Sequence, residues 1–600
     1  MKPIELLPLY GTEWLLLALV GLMLSVAVWV VDHGARAVGF RIHELPARVL
    51  VAVAAISIGM GAGHLVRDHL GAPTLIIVMA AALIAMLLPR RILLSGFVRQ
   101  LNSSFRGVAL IGLLGVLSLS LASQPSSSNH AIDAAATATS ASRRPNVVLI
   151  SIDALSAQHM SLYGALRKTS PELDRFASEA IVFDHAYANG NFTTMGVSSL
   201  ITGTRPWTHR ALQILGRPLE WVAKDALPAR LRAAGYTTAS VSTNAVGGVR
   251  RLGFGGEFDA QFPDSNGAVF PCMDSISGWL PFWCTAMQNP WTAYPWILYL
   301  AQNVFGFHHD NRENHDYDPA IAESRASSWL HGQQARPIFL WVHFFPPHDP
   351  YATPKPWLQS FDDSPLAITA ADSSSTYYYD WAATSSVRRR VLEARYEEAI
   401  AYVDHSVGEL IADIQERLGP NTVIIVTADH GESFQHGYGG HGGPALYEEL
   451  VHIPLIIKLP QPLNAPGRRS ERVEQIDIAP TIADLAGIEK SPMWEGRSLV
   501  AVPSEPSNSH TVYSMNFEEN PARGELTTGS VATLGGSWKL IEFMGRLHYS
   551  RMPKPETLLF DLTIDPLELH NVASEHPDIV RELAAQRATD MAPHQGPVAR

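Results

Sequence analysis

The chain has 600 residues, of which 46% are hydrophobic and 17% charged, and its formal net charge is -12. A typical soluble chain is about 25% charged, so this composition excludes wholesale disorder and argues against a protein that is soluble throughout. The acidic balance excludes a broad nucleic-acid surface, and 2 cysteines exclude a disulfide scaffold or a cysteine-rich zinc module, whereas 24 histidines leave metal chemistry open.

The apolar excess is concentrated at the N-terminus. Four apolar runs, at 14–31, 49–66, 74–88 and 107–122, fill most of residues 1–122. A bilayer span needs about 20 mainly apolar residues. The first, second and fourth runs meet this, and the third does so if it extends past Pro89 to Leu94. A signal peptide would account for one such run, not four, so 1–122 is predicted to be a four-span α-helical transmembrane anchor. Arg36, Arg41 and Arg48 follow the first run, and Arg90, Arg91, Arg99 and Arg106 follow the third, while Arg67 stands alone after the second. Positive loops stay cytoplasmic, which places both chain ends across a cell inner membrane, in the periplasm.

Residues 123–143 are small, polar and low in complexity, as expected of a flexible tether. The remainder is predicted to be globular, with a main body over 144–505 and a smaller C-terminal subdomain over 506–600. Cys272 and Cys284 both fall in this exported part. An oxidising compartment permits a disulfide between them, and two buried thiols are the alternative.

Continuous apolar runs at 146–152, 337–343 and 421–427 read as buried parallel strands. Helical spacing over 171–179 and 395–418 lies between them, and this alternation predicts an α/β fold with a mainly parallel, covered sheet. In such sheets ligands bind beyond the carboxyl ends of the strands. Here the strands run into Asp153, into His348 and Asp349, and into Asp429 and His430.

Asp153 and Asp429 are hard oxygen ligands and His430 a borderline nitrogen ligand. The set suits a divalent cation, Zn or Mn before Mg or Ca. A single aspartate at a strand end is as readily a helix N-cap. The segment 189–203 places two threonines in a polar loop just before a short apolar helix, where a hydroxyl beside a metal could ionise and act as nucleophile. Taken alone, it is a capped helix. The glycine-rich stretch 436–443 carries His436 and His441, able to hold an anion or protonate a leaving group, or else forms a plain surface loop. Asp174 and Asp404 lie on predicted helices and read as structural.

The segments RPNVVLISIDALSAQHMSLYG, FTTMGVSSLITGTRP, LWVHFFPPHDPY, VIIVTADHGESFQHG, QIDIAPTIADLAGI and LLFDLTIDPLELHNVASEHP occur in this order. Together they resemble the sulfatase branch of the alkaline phosphatase superfamily over about residues 144 to 585. The resemblance implies an α/β/α sandwich of alkaline phosphatase type with a small C-terminal sheet subdomain. It implies metal ligation by Asp153, Asp429 and His430 with the nucleophile as a further ligand, and counting back from SSLITG puts that nucleophile at Thr193. His348 and His441 match positions that contact the anion or leaving group, and His441 stands where many sulfatases carry lysine. Asn244 lies near another active-site position, and His436 is a second candidate for substrate binding.

The departures redirect the chemistry. A sulfatase of the usual type converts a cysteine or serine within Cys/Ser-x-Pro-x-Arg to formylglycine. Here residues 193–197 read TTMGV, without cysteine, proline or arginine, and Ala154 replaces the second acidic residue. A threonine nucleophile is similar to that of the superfamily's membrane-anchored envelope transferases. The expectation is therefore a transferase that moves phosphoethanolamine or phosphoglycerol from a membrane phospholipid donor to an envelope lipid or glycan acceptor, with no nucleic-acid partner. Hydrolysis of phosphate or sulfate esters is the alternative. NGNFTTMG also resembles sulfatase-like inner-membrane regulators of lipopolysaccharide synthesis, so a lipid-sensing, non-catalytic role is the third.

Overall fold

The computed structural model describes residues 144–262, 318–364, 385–500, 510–547 and 557–594, with short gaps at 215, 245, 334–336, 352, 519–523 and 546. The four apolar runs, the tether, Cys272 and Cys284 lie outside the described residues. Among the described residues, no helix is long and apolar enough to cross a membrane.

Three strands made of buried apolar runs form the centre of the main sheet. They are β1 (Asn146–Ile152), β5 (Ile338–Phe344) and β6 (Thr422–Ala428), and β1 runs parallel to both of the others. Both faces of these strands are covered, so their sequences need no polar alternation. On the β5 side lie β3 (Thr237–Ser242) and then β4 (Ala260–Phe262), both parallel. On the β6 side lie β8 (Leu455–Lys458), β2 (Ile181–Tyr187) and β7 (His452–Ile453), while β9 (Gly467–Glu474) pairs with β2. The β6–β8, β2–β8 and β2–β7 pairs are antiparallel, so the sheet is mixed in this half rather than parallel throughout. Strands β7 and β8 are separated by Pro454 alone and both pair with β2, so they run in one direction against it.

Two sets of helices pack on this sheet. One contains α1 (Pro171–Ala177), α3 (Pro319–His331) and α4 (Ser386–Leu418), and the other contains α2 (Thr193–Thr202) and α5 (Ile478–Ala486). Helix α4 begins nine residues before the predicted 395–418, because the side chain of Ser385 caps it at Arg388 N. The first stretch of α4 is too charged to show an apolar stripe. Asp174 accepts hydrogen bonds from Ser161 and Ser170, and Asp404 caps α1 at Glu172 N and Leu173 N, so both are structural as expected.

A second sheet is antiparallel, in the order β10 (Val512–Phe517), β11 (Gly529–Gly535), β12 (Trp538–Met544) and β13 (Leu558–Asp561), followed by α6 (Pro577–Met591). It falls within the predicted C-terminal subdomain. Tyr513, Met515 and Phe517 of β10 share a core cluster with Met195 of α2 and with Trp207. The small sheet thus supports the helix that carries the candidate nucleophile.

Candidate active site

The carboxyl ends of β1 and β6 lie side by side, with Ile152 in register with Ala428, so Asp153 and Asp429 follow at one edge of the sheet. The chain turns sharply there. Ala154 adopts φ 57°, a conformation that is uncommon outside glycine. Tyr396 of α4 pins this turn by donating to Ala154 O (2.6 Å) and accepting from Ser156 N (2.9 Å). Backbone strain held by its surroundings in this way clusters at functional sites.

Thr193 reaches the same edge from the first turn of α2, a helix buried along its whole length. The approach is close because residue 196 is glycine: a Cβ there would collide with the carbonyl oxygen of Asp429. Around His430 Nε2 lie Asp153 Oδ1 at 3.3 Å, Thr193 Oγ1 at 3.5 Å and Asp429 Oδ2 at 3.7 Å. His430 Nδ1 lies 2.8 Å from the carbonyl oxygen of Gly431, which can only accept. Nδ1 therefore carries a proton, and the Nε2 lone pair is left for the cluster.

These residues fit a divalent cation. Asp153 Oδ1 and Asp429 Oδ2 are buried and make no hydrogen bond, whereas the other oxygen of each is engaged. Asp153 Oδ2 accepts from Asn244, and Asp429 Oδ1 accepts from Ala154 N and His430 N. Ligands about 2.0–2.2 Å from a common zinc centre stand about 3.3–3.6 Å apart in a tetrahedron, close to the separations from His430 Nε2. Asp153, Asp429 and His430 offer one ligand atom each within 4.8 Å of one another, and Thr193 Oγ1 completes four.

The electrostatics also call for a cation. Burial raises Asp429, and the neighbouring charge of Asp153 adds to it. Burial works against Asp153 too, but His348, His430 and His343 hold its carboxyl below the usual range. Burial opposes charge on His430, yet Asp429 and Asp153 raise its pKa to about 9, so a proton takes the place a metal would fill.

Two further histidines converge on this point. The ring of His441 lies 4.6 Å from that of His348 and 4.5 Å from that of His430. His441 Nδ1 lies 3.0 Å from Glu432 Oε1, which fixes its orientation. Burial, His430 and His348 hold His441 well below the ordinary histidine range. His348 behaves in the opposite way: despite burial, Asp153, Asp349 and Glu432 raise it to about 10. The site thus contains one neutral and one cationic imidazole in contact. Asn191 ties the nucleophile loop to the His441 loop through Gly443 O (2.9 Å) and Gly442 N (2.9 Å).

The structure therefore brings together Asp153, Thr193, Asn244, His348, Asp429, His430 and His441. It does not bring in His436, which stacks on Tyr447 at 3.9 Å and is held at about 4 by burial and by Lys539. Its ring fills space beside the small sheet, a packing role that glycine-rich sequence does not reveal. Sequence reasoning missed His343, whose Nε2 lies 3.9 Å from Asp153 Oδ2 and whose Nδ1 is bound to Ser151 Oγ at 2.9 Å. A histidine closing an otherwise apolar buried strand was the available signal. It also missed the role of Glu432 and of Gln475, which donates to Ala428 O at 2.8 Å and braces the end of β6.

The fold and this site define an enzyme of the alkaline phosphatase superfamily. The sulfatase family profile matches residues 145–488, more than half of the chain, and the chain belongs to that family. A second profile, described as the C-terminal part of N-sulphoglucosamine sulphohydrolase, matches residues 438–591. An N-acetylgalactosamine-6-O-sulfatase of Bacteroides thetaiotaomicron is 25% identical over 74% of this chain and 92% of its own length. The multifunctional alkaline phosphatase superfamily protein PehA of Trinickia caryophylli is 26% identical over 74% of this chain and 94% of its own. Among solved structures, a phosphonate monoester hydrolase of Agrobacterium radiobacter matches with a TM-score of 0.56 and 20% identity, covering 76% of this chain and all of that one, which supports the fold. These relatives are sulfatases and hydrolases. They support the hydrolase alternative rather than the expected transferase.

Proposed function

We propose that the chain is a metal-dependent phosphoester hydrolase in which Thr193 is the nucleophile. The observation that carries this reading is the placement of Thr193 Oγ1 3.5 Å from His430 Nε2, beside two carboxylate oxygens that make no hydrogen bond. A divalent cation held by Asp153, Asp429, His430 and Thr193 would lower the pKa of the hydroxyl and take up charge on the phosphoryl oxygens. Thr193 Oγ1, its proton released to solvent, attacks phosphorus, and the bond to the departing alcohol oxygen breaks. His348, whose ring lies beside that of His441, holds the anion and gives that oxygen a proton. His441, neutral, then takes a proton from water, whose oxygen attacks phosphorus. The bond to Thr193 breaks, the threonine oxygen takes the proton held by His441, and His348 recovers its proton from solvent.

A direct oxygen nucleophile favours phosphate over sulfate esters here, since threonine cannot supply the formylglycine that sulfatases of the usual type use. A phosphodiester and a sulfate ester carrying the same aryl group, assayed side by side in H2(18)O, test this. Cleavage of the phosphodiester with one 18O in the phosphate product supports the proposal. Preferential cleavage of the sulfate ester overturns it.

A second reading, transfer of a phospholipid head group, is favoured by the four apolar runs over 1–122. If those runs span the inner membrane and the described body faces the periplasm, the site would meet lipid donors, and an acceptor hydroxyl would replace water. In the same 18O experiment with labelled phospholipid, transfer gives a labelled acceptor without 18O.

A further inference from the structure

Behind the turn that carries Asp153 lies a second group of metal-ligating side chains, with His159 and Glu397 buried and Glu393 partly so. Glu393 and Glu397 are four residues apart on α4 and so share one helix face. His159, at the end of the short 3-10 turn Ala157–His159, faces them, with Nδ1 3.2 Å from Glu397 Oε1. One ligand atom from each of the three lies within 4.8 Å of the others. Glu397 also pairs with Arg167.

A second observation points to a missing partner. His159 Nε2 is buried and makes no hydrogen bond, although the residue is only 5% exposed. Glu449 Oε1 is in the same condition, while its Oε2 accepts from Ser433 Oγ (2.7 Å) and Phe434 N (3.2 Å). Glu449 and Glu393 both act electrostatically on His159. Buried polar atoms ordinarily find a partner, so the unpartnered His159 Nε2 in this cluster calls for an occupant. Three carboxylates around one imidazole, with one guanidinium on the outer side, leave room for positive charge.

We propose that His159, Glu393 and Glu397 form a second divalent-cation site, of the zinc or manganese class, with Glu449 closing it from the side of the Ser433 loop. One imidazole and carboxylates suit these ions. The site would be structural. It joins α4 to the turn after β1, next to Tyr396, which already holds Ala154, and so stiffens the support of Asp153. Partly exposed Glu393 marks the entry.

The test uses the full-length protein, stripped with chelator, reloaded with Zn²⁺ alone and freed of excess metal before elemental analysis. Wild type is expected to hold two ions per chain, and Glu393→Gln and Asp429→Asn one each. Glu393→Gln keeps the side chain's size, and thermal unfolding confirms that it is folded. In an Asp429→Asn background, Zn²⁺ is expected to raise Tm, and adding Glu393→Gln to abolish the rise. One ion per wild-type chain, lost in Glu393→Gln and kept in Asp429→Asn, would still support this site while removing the active-site one. One ion lost only in Asp429→Asn, two ions kept in Glu393→Gln, or no bound ion would overturn the proposal.

Discussion

The carboxylates at the seam with the small sheet meet permanent cations, whereas those at the edge carrying Asp153 face imidazoles and one another. Glu474 is fully buried, with Oε1 accepting from Asn189 Nδ2 (2.9 Å), Arg205 Nε (3.0 Å) and Tyr513 N (3.1 Å). Lys539, also fully buried, lies 2.8 Å from Glu448 Oε1 and 2.9 Å from Glu568 Oε1. These groups join β9, β10, β12 and the segment around Glu448 into one support. At the other edge, Asp153 Oδ1 and Asp429 Oδ2 accept nothing. Charge paired with arginine or lysine fixes a scaffold, and charge facing imidazoles that can release a proton leaves a site that a cation can enter.

If this contrast is right, mutations at the two regions separate chemistry from stability. The largest effect is expected for Thr193→Ala. It should lower kcat on the order of 10⁶-fold, as loss of a nucleophile does elsewhere, with Tm little changed. Next, Lys539→Met leaves Glu448 and Glu568 buried without their cation. It should cost about 3–5 kcal/mol in urea unfolding while the remaining folded enzyme keeps its kcat. A large loss of kcat per folded molecule would break the comparison.

The seam also carries a pH signature. Burial alone would raise the Glu474 carboxyl, but Arg205 and His510 bring it down to about 2, against 4.5 ordinarily. A depressed carboxyl contributes stability that is fully present above the unfolded value and is lost as pH falls towards the folded one. Unfolding measured from pH 7 to pH 2 should therefore show a loss on the order of 3 kcal/mol below pH 4.5 from this group. Glu474→Gln should be less stable at pH 7 and flatter across that window. The smallest effect is expected at Asp404, which caps α1 from α4. Asp404→Ala should lower stability by about 1 kcal/mol, read by thermal unfolding, and leave turnover unchanged.

Much of this contrast was visible in the sequence on one side and hidden on the other. Asp153, Asp429 and His430 end apolar strands, and a strand buried on both faces announces itself as a continuous run. Thr193 followed from its place before an apolar helix together with family resemblance. The seam had no such local signal. Arg205 and Glu474 are 269 residues apart and Lys539 and Glu448 are 91 apart, so their pairing exists only once the two sheets have met. The antiparallel half of the main sheet was equally silent, because β7 has two residues and β8 four, too few to show a period. His436 shows the converse: a histidine in a glycine-rich loop looks available until Tyr447 is found stacked on it.

The most direct test of the account is whether Thr193 becomes covalently modified. Protein mixed with an aryl phosphodiester and quenched in acid within one turnover should gain the mass of the phosphoryl group with its remaining ester, mapped by peptide sequencing to Thr193. Thr193→Ser should retain the adduct and Thr193→Ala should lack it. An adduct that persists in Thr193→Ala, or turnover in that variant at the wild-type rate, would contradict the assignment of Thr193 as the nucleophile.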